Sequence, residues 1–168
     1  LTILRPATMF GDEDKFLNRI AKLSQLLPIY PLVNAATTKQ QPVYMDDVAD
    51  AVVRSAIDET AVGKTFDLAG PKVYTNAELV DYVFKVIKEE SNAVNLPQPV
   101  AYGIASAFGM LPNPWISLDG LRRQSVDLVM PEGASGFEDL GINKLTAVED
   151  VAERYLVRFR KMSVFVEE

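Results

Sequence analysis

The start of the chain alternates a short apolar run with an amphipathic stretch. Residues 1–5 are mostly apolar and are followed by proline, which predicts a strand. A helix is predicted over residues 13–27, capped by Asp12 or Asp14 and stopped by Pro28. Its apolar positions recur at intervals of four, three and four residues and share one face: Phe16, Ile20, Leu23 and Leu27.

The pattern next predicts two more strands around a second helix. The expected elements are an extended piece at 29–34, a polar loop at 35–41, a strand from Pro42 to Met45, a helix over 46–57 and a strand from Lys64 to Gly70. Asp46 or Asp47 is the expected cap of this helix. Val48, Val52 and Ala56 are expected to form its apolar face.

Two T-x-x-E patterns mark further helix starts. Thr75 and Glu78 predict a capping box that opens a helix to about Glu90. Thr146 and Glu149 predict a second box, with the last helix running to about residue 161. The core face of the first of these helices should hold Leu79, Val83, Val86 and Ile87. The remaining segments are a linker at 91–99, a helix from Val100 to Leu111, a helical stretch over 117–129 and a loop over 131–141.

This order of elements predicts an α/β protein. Strands alternate with helices at the front of the chain, and helices dominate the back. Three short strands leave sheet edges that need partners. We therefore expect residues 1–5 to form a central strand that pairs with strands outside this chain.

Composition narrows the possible chemistry. The 168 residues include no cysteine and no histidine, which removes thiol nucleophiles, histidine-based triads and thiolate or imidazole metal sites. A net charge of −6 without a large basic block argues against nucleic acid as a partner. The longest apolar run, residues 99–111, is too short to span a bilayer, so any membrane association is expected to be peripheral.

The loop after the first strand is the main candidate for a binding site. In a doubly wound sheet, ligands bind beyond the carboxyl ends of the strands. Ala7 and Thr8 are small enough for a flat ring to approach the backbone, and Thr8 adds a hydroxyl. The same residues fit an ordinary strand-to-helix turn, which residue types alone favour. No glycine-rich dinucleotide motif and no tyrosine followed four positions later by lysine occurs in the chain.

Other polar and aromatic groups have plainer interpretations. The pair Asp46 and Asp47 is interpreted as a helix cap rather than a metal or acid–base site. Arginines near the end of the chain are interpreted as solvated or facing a partner: Arg122, Arg123, Arg158 and Arg160. The aromatic group formed by Tyr102, Phe108 and Trp115 is expected to lie in the core or an interface.

Three segments resemble the extended short-chain dehydrogenases. "TILRPATMFG", "QPVYMDDVADAVV" and "GKTFDLAGPKVYTNAELVDYVFKVI" are similar to the strand, loop and helix motifs that follow the cofactor-binding half in that family. The resemblance implies the C-terminal part of a Rossmann-type fold, with the sheet completed by another segment or chain. Residues 1–90 would hold the end of that sheet and mixed α/β substrate-side segments, and residues 91–168 a mostly helical part of the same domain.

Within that family, the closer resemblance is to the dehydrogenase-like accessory subunits of mitochondrial complex I. It is carried by "RPATMFGDEDKFLNRIA", "KQQPVYMDDV" and "GFEDLGI". It implies a tightly held NADPH without turnover, at the matrix side of the inner membrane. The implied nicotinamide-side wall consists of Pro6, Ala7, Thr8, Met9 and Phe10, with Gln41 and Pro42 near the same cleft. The adenine and pyrophosphate contacts would belong to an N-terminal half that is not in this chain.

Three hypotheses follow for function. The first is a non-catalytic accessory subunit of complex I, or the C-terminal half of one, with no catalytic and no metal-binding residues, partnered by other complex I subunits. The second is the substrate-binding half of an NAD(P)-dependent sugar-nucleotide epimerase or reductase. The third, which the incomplete sheet disfavours, is a free binding module.

Overall fold

A computed structural model describes residues 1–108, 121–122 and 125–160. Within these ranges the chain forms helices of nine to thirteen residues and short strands of two to four residues. The helices are α1 (Leu17–Leu26), α2 (Met45–Ile57), α3 (Asn76–Ile87), α4 (Gln98–Phe108) and α5 (Val148–Leu156). Single 3-10 turns occur at Glu59–Ala61, Glu138–Leu140 and Val157–Phe159.

The strands pair two by two. They are β1 (Ile3–Pro6), β2 (Met9–Phe10), β3 (Tyr30–Leu32), β4 (Lys39–Gln40), β5 (Val43–Tyr44), β6 (Thr65–Leu68), β7 (Tyr74–Thr75) and β8 (Ala93–Asn95). The pairs β1–β6, β2–β5 and β3–β8 are parallel, and β4–β7 is antiparallel. The predicted strands at 1–5, 42–45 and 64–70 are confirmed as β1, β5 and β6. The expectation of only three strands is wrong, because the described residues contain eight.

Two apolar clusters form most of the core. The larger lies where α1, α3 and α5 contact one another, and its members include Phe10, Leu17, Ile20, Leu79, Val83, Phe84, Ile87, Val151 and Leu156. The smaller lies between α2, β6 and the segment after residue 136, and holds Val43, Ala51, Ala61, Phe66, Leu68, Phe137 and Leu140. The candidate loop runs between these clusters, since Phe10 belongs to the first and Ala7 packs against the second.

The helix α3 confirms the sequence analysis closely. The hydroxyl of Thr75 accepts a hydrogen bond from the backbone N–H of Glu78, and the Glu78 carboxylate accepts one from the backbone N–H of Thr75. The four predicted core residues are all buried. The helix ends three residues before the predicted Glu90, where Lys88 adopts a left-handed conformation at φ 59°.

The helix α1 begins four residues later than predicted. The Asp14 carboxylate accepts hydrogen bonds from the backbone N–H groups of Phe16 and Asn18, at 2.8 and 3.1 Å. Residues 11–16 therefore form a turn around Asp14 rather than a first helical turn, and α1 starts at Leu17. The expectation that Asp12 or Asp14 is the N-cap is wrong, since Phe16 occupies that position.

The predicted cap of α2 is wrong, and its predicted apolar face is only partly right, because Val48 alone of its three residues packs against the smaller cluster. Ala51 is the buried residue of this helix, whereas Val52 is 50% exposed and Ala56 is also exposed. Tyr44 occupies the N-cap position, without a side-chain cap. The Asp47 carboxylate instead accepts hydrogen bonds from the backbone N–H and the hydroxyl of Thr146, at 2.7 and 3.1 Å.

The second predicted capping box is displaced by one residue. The helix α5 has Ala147 at its N-cap, and the Asp150 carboxylate accepts the Ala147 backbone N–H at 3.0 Å. Thr146 is engaged by α2, and Glu149 accepts hydrogen bonds from Lys72 and Tyr74 instead. The helical conformation continues only to a 3-10 turn that ends at residue 159.

Segments expected to be irregular also contribute strands. The polar loop at 35–41 contains β4, and the linker at 91–99 contains β8. Residues 125–130 are not helical, and Leu128 forms a bridge with Gln40. The rest of the predicted helix at 117–129, apart from residues 121–122, lies outside the described residues, as does the predicted end of α4 at Leu111. The division of the chain near residue 90 stays a prediction.

Candidate functional site

The candidate loop lies at the carboxyl ends of two parallel strands. β1 ends at Pro6 and β6 ends at its register partner Leu68. The backbone N–H of Ala7 donates to the Leu68 carbonyl at 2.9 Å, which extends the pairing by one residue. This is the edge at which open α/β sheets place their ligands.

The second half of the loop pairs with β5. Met9 and Phe10 lie opposite Val43 and Tyr44 in a parallel register. The Thr8 carbonyl accepts the backbone N–H of Val43 at 3.0 Å. The Thr8 hydroxyl donates to the side-chain oxygen of Gln40 at 3.1 Å. The five loop residues predicted from the sequence therefore form one wall between β6 and β5.

Gln41 lies beside this wall, and its side chain forms hydrogen bonds to two other segments of the chain. Its side-chain amide donates to the Gly70 carbonyl at 2.8 Å, and its side-chain oxygen accepts the backbone N–H of Met130 at 3.0 Å. Its own backbone N–H donates to the Leu128 carbonyl at 2.9 Å. Gln41 thus joins the segment before β5 to the segments after β6 and after residue 127.

Gly70 is needed where the chain leaves β6. A Cβ at this position would lie 1.8 Å from the Pro42 carbonyl oxygen. The two segments can approach this closely only because residue 70 has no side chain. In the sequence, the Gly-Pro pair at residues 70–71 indicates only that the strand ends there. It does not indicate that Pro42 is the residue that packs against Gly70.

The wall residues differ in what they offer a ligand. Pro6 is exposed and Met9 is 47% exposed, whereas Ala7 and Thr8 are half-buried. Phe10 is fully buried, with its ring centroid 5.5 Å from that of Tyr44. Pro6, Ala7, Thr8 and Met9 can therefore face a ligand, and Phe10 supports them from the core.

The wall carries no titratable side chain between residues 6 and 10. Arg5, just before it, pairs with Asp67 at 2.7 Å. A hydrogen bond with Asp46, together with burial, raises the pKa of Tyr44, so its phenol stays neutral near pH 7. The arrangement can bind a flat, uncharged group through apolar and backbone contacts.

Two of the four arginines also make hydrogen bonds within the chain, although Arg158 is exposed as expected. Arg158 donates to the Asp12 carbonyl and to the Asn18 side-chain oxygen, at 2.8 and 2.9 Å. Arg160 donates to the Val86 carbonyl at 2.7 Å and pairs with Glu153 at 2.9 Å. Both therefore make contacts within the chain rather than with solvent or a partner alone.

Other predicted residues are only partly described. Arg122 is exposed, and Tyr102 packs against a small buried cluster beside α4. Arg123, Trp115 and the Phe108 side chain lie outside the described residues. Within residues 1–108, 121–122 and 125–160, no helix combines the length and apolarity needed to cross a membrane. No group of acidic side chains in the same ranges could hold a metal ion.

Sequence patterns alone do not reveal two residues that bear on the site. Asp14 is predicted only as a helix cap, and no role is predicted for Tyr155. The Tyr155 hydroxyl donates to the Asp14 carboxylate at 3.0 Å, across 141 positions of sequence. No local pattern signals such a contact, because the two residues meet only through the packing of α5 against α1.

Curated relatives cover nearly the whole chain. It is 36% identical over 95% of its length to the Arabidopsis thaliana NADH dehydrogenase (ubiquinone) 1 alpha subcomplex subunit 9, mitochondrial. It is 39% identical over 83% of its length to the mouse protein of the same name, and 33% identical over 98% to the Neurospora crassa NADH-ubiquinone oxidoreductase 40 kDa subunit, mitochondrial. The chain is homologous to part of these mitochondrial subunits.

The matched part is well under half of each relative. The chain spans 42% of the Arabidopsis subunit, 37% of the mouse subunit and 43% of the Neurospora subunit. No protein-family model matches the sequence. These sequence identities confirm the resemblance to the dehydrogenase-like accessory subunits.

Solved structures confirm the fold class. DesIV, the dTDP-glucose 4,6-dehydratase of Streptomyces venezuelae with NAD and TYD bound, matches 94% of this chain with a TM-score of 0.63 at 15% identity. The UDP-glucuronic acid 4-epimerase of Bacillus cereus, in complex with UDP-glucuronic acid and NAD, matches 94% with a TM-score of 0.61 at 13% identity. The chain covers 42% and 45% of these proteins. It therefore has the fold of part of an extended short-chain dehydrogenase.

Proposed function

We propose that this chain acts within a non-catalytic accessory subunit of mitochondrial NADH:ubiquinone oxidoreductase, complex I. The observation that carries the proposal is the identity of 33–39% to named subunits of that enzyme, over 83–98% of the chain. Its role is to support assembly and stability, and its partners are other complex I subunits. It lies at the matrix side of the inner membrane as a peripheral component.

The second element of the proposal is a structural NADPH site. Pro6, Ala7, Thr8 and Met9 contact the nicotinamide side of the dinucleotide, with Phe10 behind them. Gln41 holds the neighbouring segment and has one further amide hydrogen to offer. Support comes from the position of this wall beyond β1 and β6, and from the NAD bound in similar folds. The glycine-rich half that binds adenine and pyrophosphate is supplied by another segment or chain.

The residues of the wall are better suited to binding a structural cofactor than to taking part in its chemistry. Residues 6–10 include no titratable side chain, the Thr8 hydroxyl donates to Gln40, and Tyr44 behind them keeps its proton near pH 7. A bound dinucleotide could carry hydride chemistry, but these residues supply only contact surface and orientation. A role in stability follows, because a ligand that binds only the folded state stabilises it by mass action.

Purification of the native assembly through a tag on this chain tests the proposal. We expect other complex I subunits to copurify and alkaline extraction, which preserves the reduced nicotinamide, to release NADPH in proportion to the chain. Recovery of the chain alone, as a folded monomer, would contradict the accessory role. Copurification without any dinucleotide would contradict the cofactor site but not the accessory role.

A matched pair of variants tests the wall itself. Met9→Asp places a charge on the proposed nicotinamide side, whereas Ile29→Asp places one at a similarly exposed apolar residue between α1 and β3. Both should assemble, since Met9 and Ile29 are 47% and 52% exposed. Only Met9→Asp should lose NADPH. Equal NADPH content in the two variants would remove Met9 from the site.

A second candidate function is the substrate-binding part of a sugar-nucleotide epimerase or reductase. It is favoured by the fold, because dehydratases and epimerases of sugar nucleotides match more than nine tenths of the chain. The test incubates the native assembly with UDP-glucose or dTDP-glucose and NAD(P)(H), following absorbance at 340 nm and the sugar products by chromatography. Turnover that depends on the assembly would favour this function over the accessory role.

A further inference from the structure

The carboxylate of Asp14 joins the candidate wall to the last helix. One oxygen accepts the backbone N–H of Gly11 at 3.1 Å and the hydroxyl of Tyr155 at 3.0 Å. The other accepts the backbone N–H groups of Phe16 and Asn18, at 2.8 and 3.1 Å. Four donors from three parts of the chain therefore converge on one side chain.

The contact with Gly11 acts directly on the end of the wall. Gly11 follows Phe10, so fixing the Gly11 N–H fixes the plane of the Phe10–Gly11 peptide bond. On its other side, Phe10 is held by the pairing of β2 with β5 and by the ring of Tyr44. The Asp14 carboxylate is thus the support for the wall on the side away from β5.

Tyr155 is suited to hold that carboxylate in place. Burial raises the pKa of Tyr155, and the charge of Asp14 raises it further, so the phenol keeps its proton and donates at neutral pH. Val151 and Leu156, on the same helix, are buried in the larger cluster. Arg158 adds two hydrogen bonds to the same turn, through the Asp12 carbonyl and Asn18. The donor therefore projects from an anchored helix.

We propose that Tyr155 is a positioning residue for the nicotinamide-side wall and acts on it through Asp14. The inference rests on the NADPH site proposed above. It extends that site from the loop at residues 6–10 to a residue on α5, 141 positions from Asp14 in the sequence. Retention of the dinucleotide then depends on how α5 is docked.

The test compares Tyr155→Phe with Tyr74→Phe in the purified native assembly. Each change removes one phenol–carboxylate hydrogen bond that involves α5, since the Tyr74 hydroxyl donates to Glu149 at 2.6 Å. Of these two hydroxyls, that of Tyr155 donates to residues 11–18, through Asp14, and that of Tyr74 donates to Glu149. Hydrogen–deuterium exchange of that segment and the rate of NADPH release are measured for both variants, together with the thermal midpoint.

We expect the two variants to have similar thermal midpoints. Tyr155→Phe should speed exchange across residues 11–18 and release NADPH about tenfold faster, the effect of losing one hydrogen bond at a charged group. Tyr74→Phe should change neither the exchange across residues 11–18 nor the rate of NADPH release. Asp14→Asn should also speed exchange and NADPH release, since the asparagine nitrogen accepts no hydrogen bond and the donors on that side lose their acceptor.

Two results would overturn the proposal. Unchanged exchange of residues 11–18 in Tyr155→Phe would mean that Tyr155 does not position the turn. Equal NADPH release from Tyr155→Phe and Tyr74→Phe would mean that the turn does not affect the site. If the unaltered assembly holds no dinucleotide, the proposed cofactor site fails, and the exchange comparison alone decides whether Tyr155 positions the wall.

Discussion

The helices α2 and α3 have nearly the same length but very different surroundings. α3 buries seven of its twelve residues between α1 and α5. α2 buries only Ala51 of its thirteen, and leaves Val52, Val53 and Ile57 at least half exposed. Both contain enough apolar residues for a buried face, so the neighbouring elements, rather than the helix sequence, decide how much is buried.

The regions around these helices are stabilised differently. The α3 region is held by the larger apolar cluster. The α2 region, which borders the candidate wall at Ala7, is held by a small cluster and by specific hydrogen bonds, such as those from Ala7 to Leu68 and from Thr146 to Asp47. We expect the stability of the α3 region to fall most when apolar burial is lost. The stability of the α2 region should fall most when closely packed backbone segments are pushed apart.

The largest expected effect comes from one substitution made in both helices. Val83→Asp places a charge at a fully buried position of α3 and should destabilise the protein by about 4 kcal/mol or more. Val52→Asp, at a half-exposed position of α2, should lower the free energy of unfolding by no more than about 1 kcal/mol. Denaturant unfolding of the purified protein measures both. A similar loss for the two variants would show that α2 is buried in solution.

The next effect concerns backbone fit in the α2 region. Gly70→Ala forces Pro42 away from β6, because the added Cβ would overlap the Pro42 carbonyl oxygen, and should cost about 3 kcal/mol. Gly103→Ala is the control, since a Cβ there meets open space in α4 and should stabilise by up to about 1 kcal/mol. Thermal unfolding compares them. A Gly70→Ala protein as stable as the unaltered one would contradict the close approach.

A smaller effect is expected from exchanging helix caps. Thr75→Ala removes the hydroxyl that accepts the Glu78 backbone N–H and should cost about 1 kcal/mol. Ala147→Ser adds a hydroxyl at the N-cap of α5, where no side-chain acceptor exists, and should stabilise by about 1 kcal/mol. Chemical denaturation measures both changes. A loss of stability in Ala147→Ser would mean that Ala147 is not the cap.

How much the sequence predicts depends on the range of the interactions. α3 was predicted well because its capping box and apolar period lie within one segment. The cap of α5 was misplaced because Thr146 is bound by Asp47, 99 positions earlier. The strands β4 and β8 were missed because runs of two or three residues become strands only when a partner pairs with them.

The candidate site divides in the same way. The loop at residues 6–10 could be placed beyond a strand end from a short apolar run and a proline. The hydrogen bonds that hold the loop and its neighbours in place could not be predicted, because each joins residues distant in sequence. They join Gln41 to Gly70 and Met130, and Asp14 to Tyr155. A sequence therefore predicts where such a wall lies better than what holds it.

The smallest expected effect is a pH dependence in the cap of α3. The backbone N–H of Thr75, and then its hydroxyl, hold the pKa of Glu78 below its ordinary value. A carboxylate with a lowered pKa in the folded state contributes stability above its unfolded pKa and loses it as the pH falls through the folded one. Glu78→Gln keeps the capping geometry without the charge. The thermal midpoint of Glu78→Gln should therefore lie slightly below that of the unaltered protein at pH 7, and the two should converge near pH 3. A gap of the same size at both pH values would mean that the charge of Glu78 contributes nothing to the cap, and that the cap is held by its neutral hydrogen bonds alone.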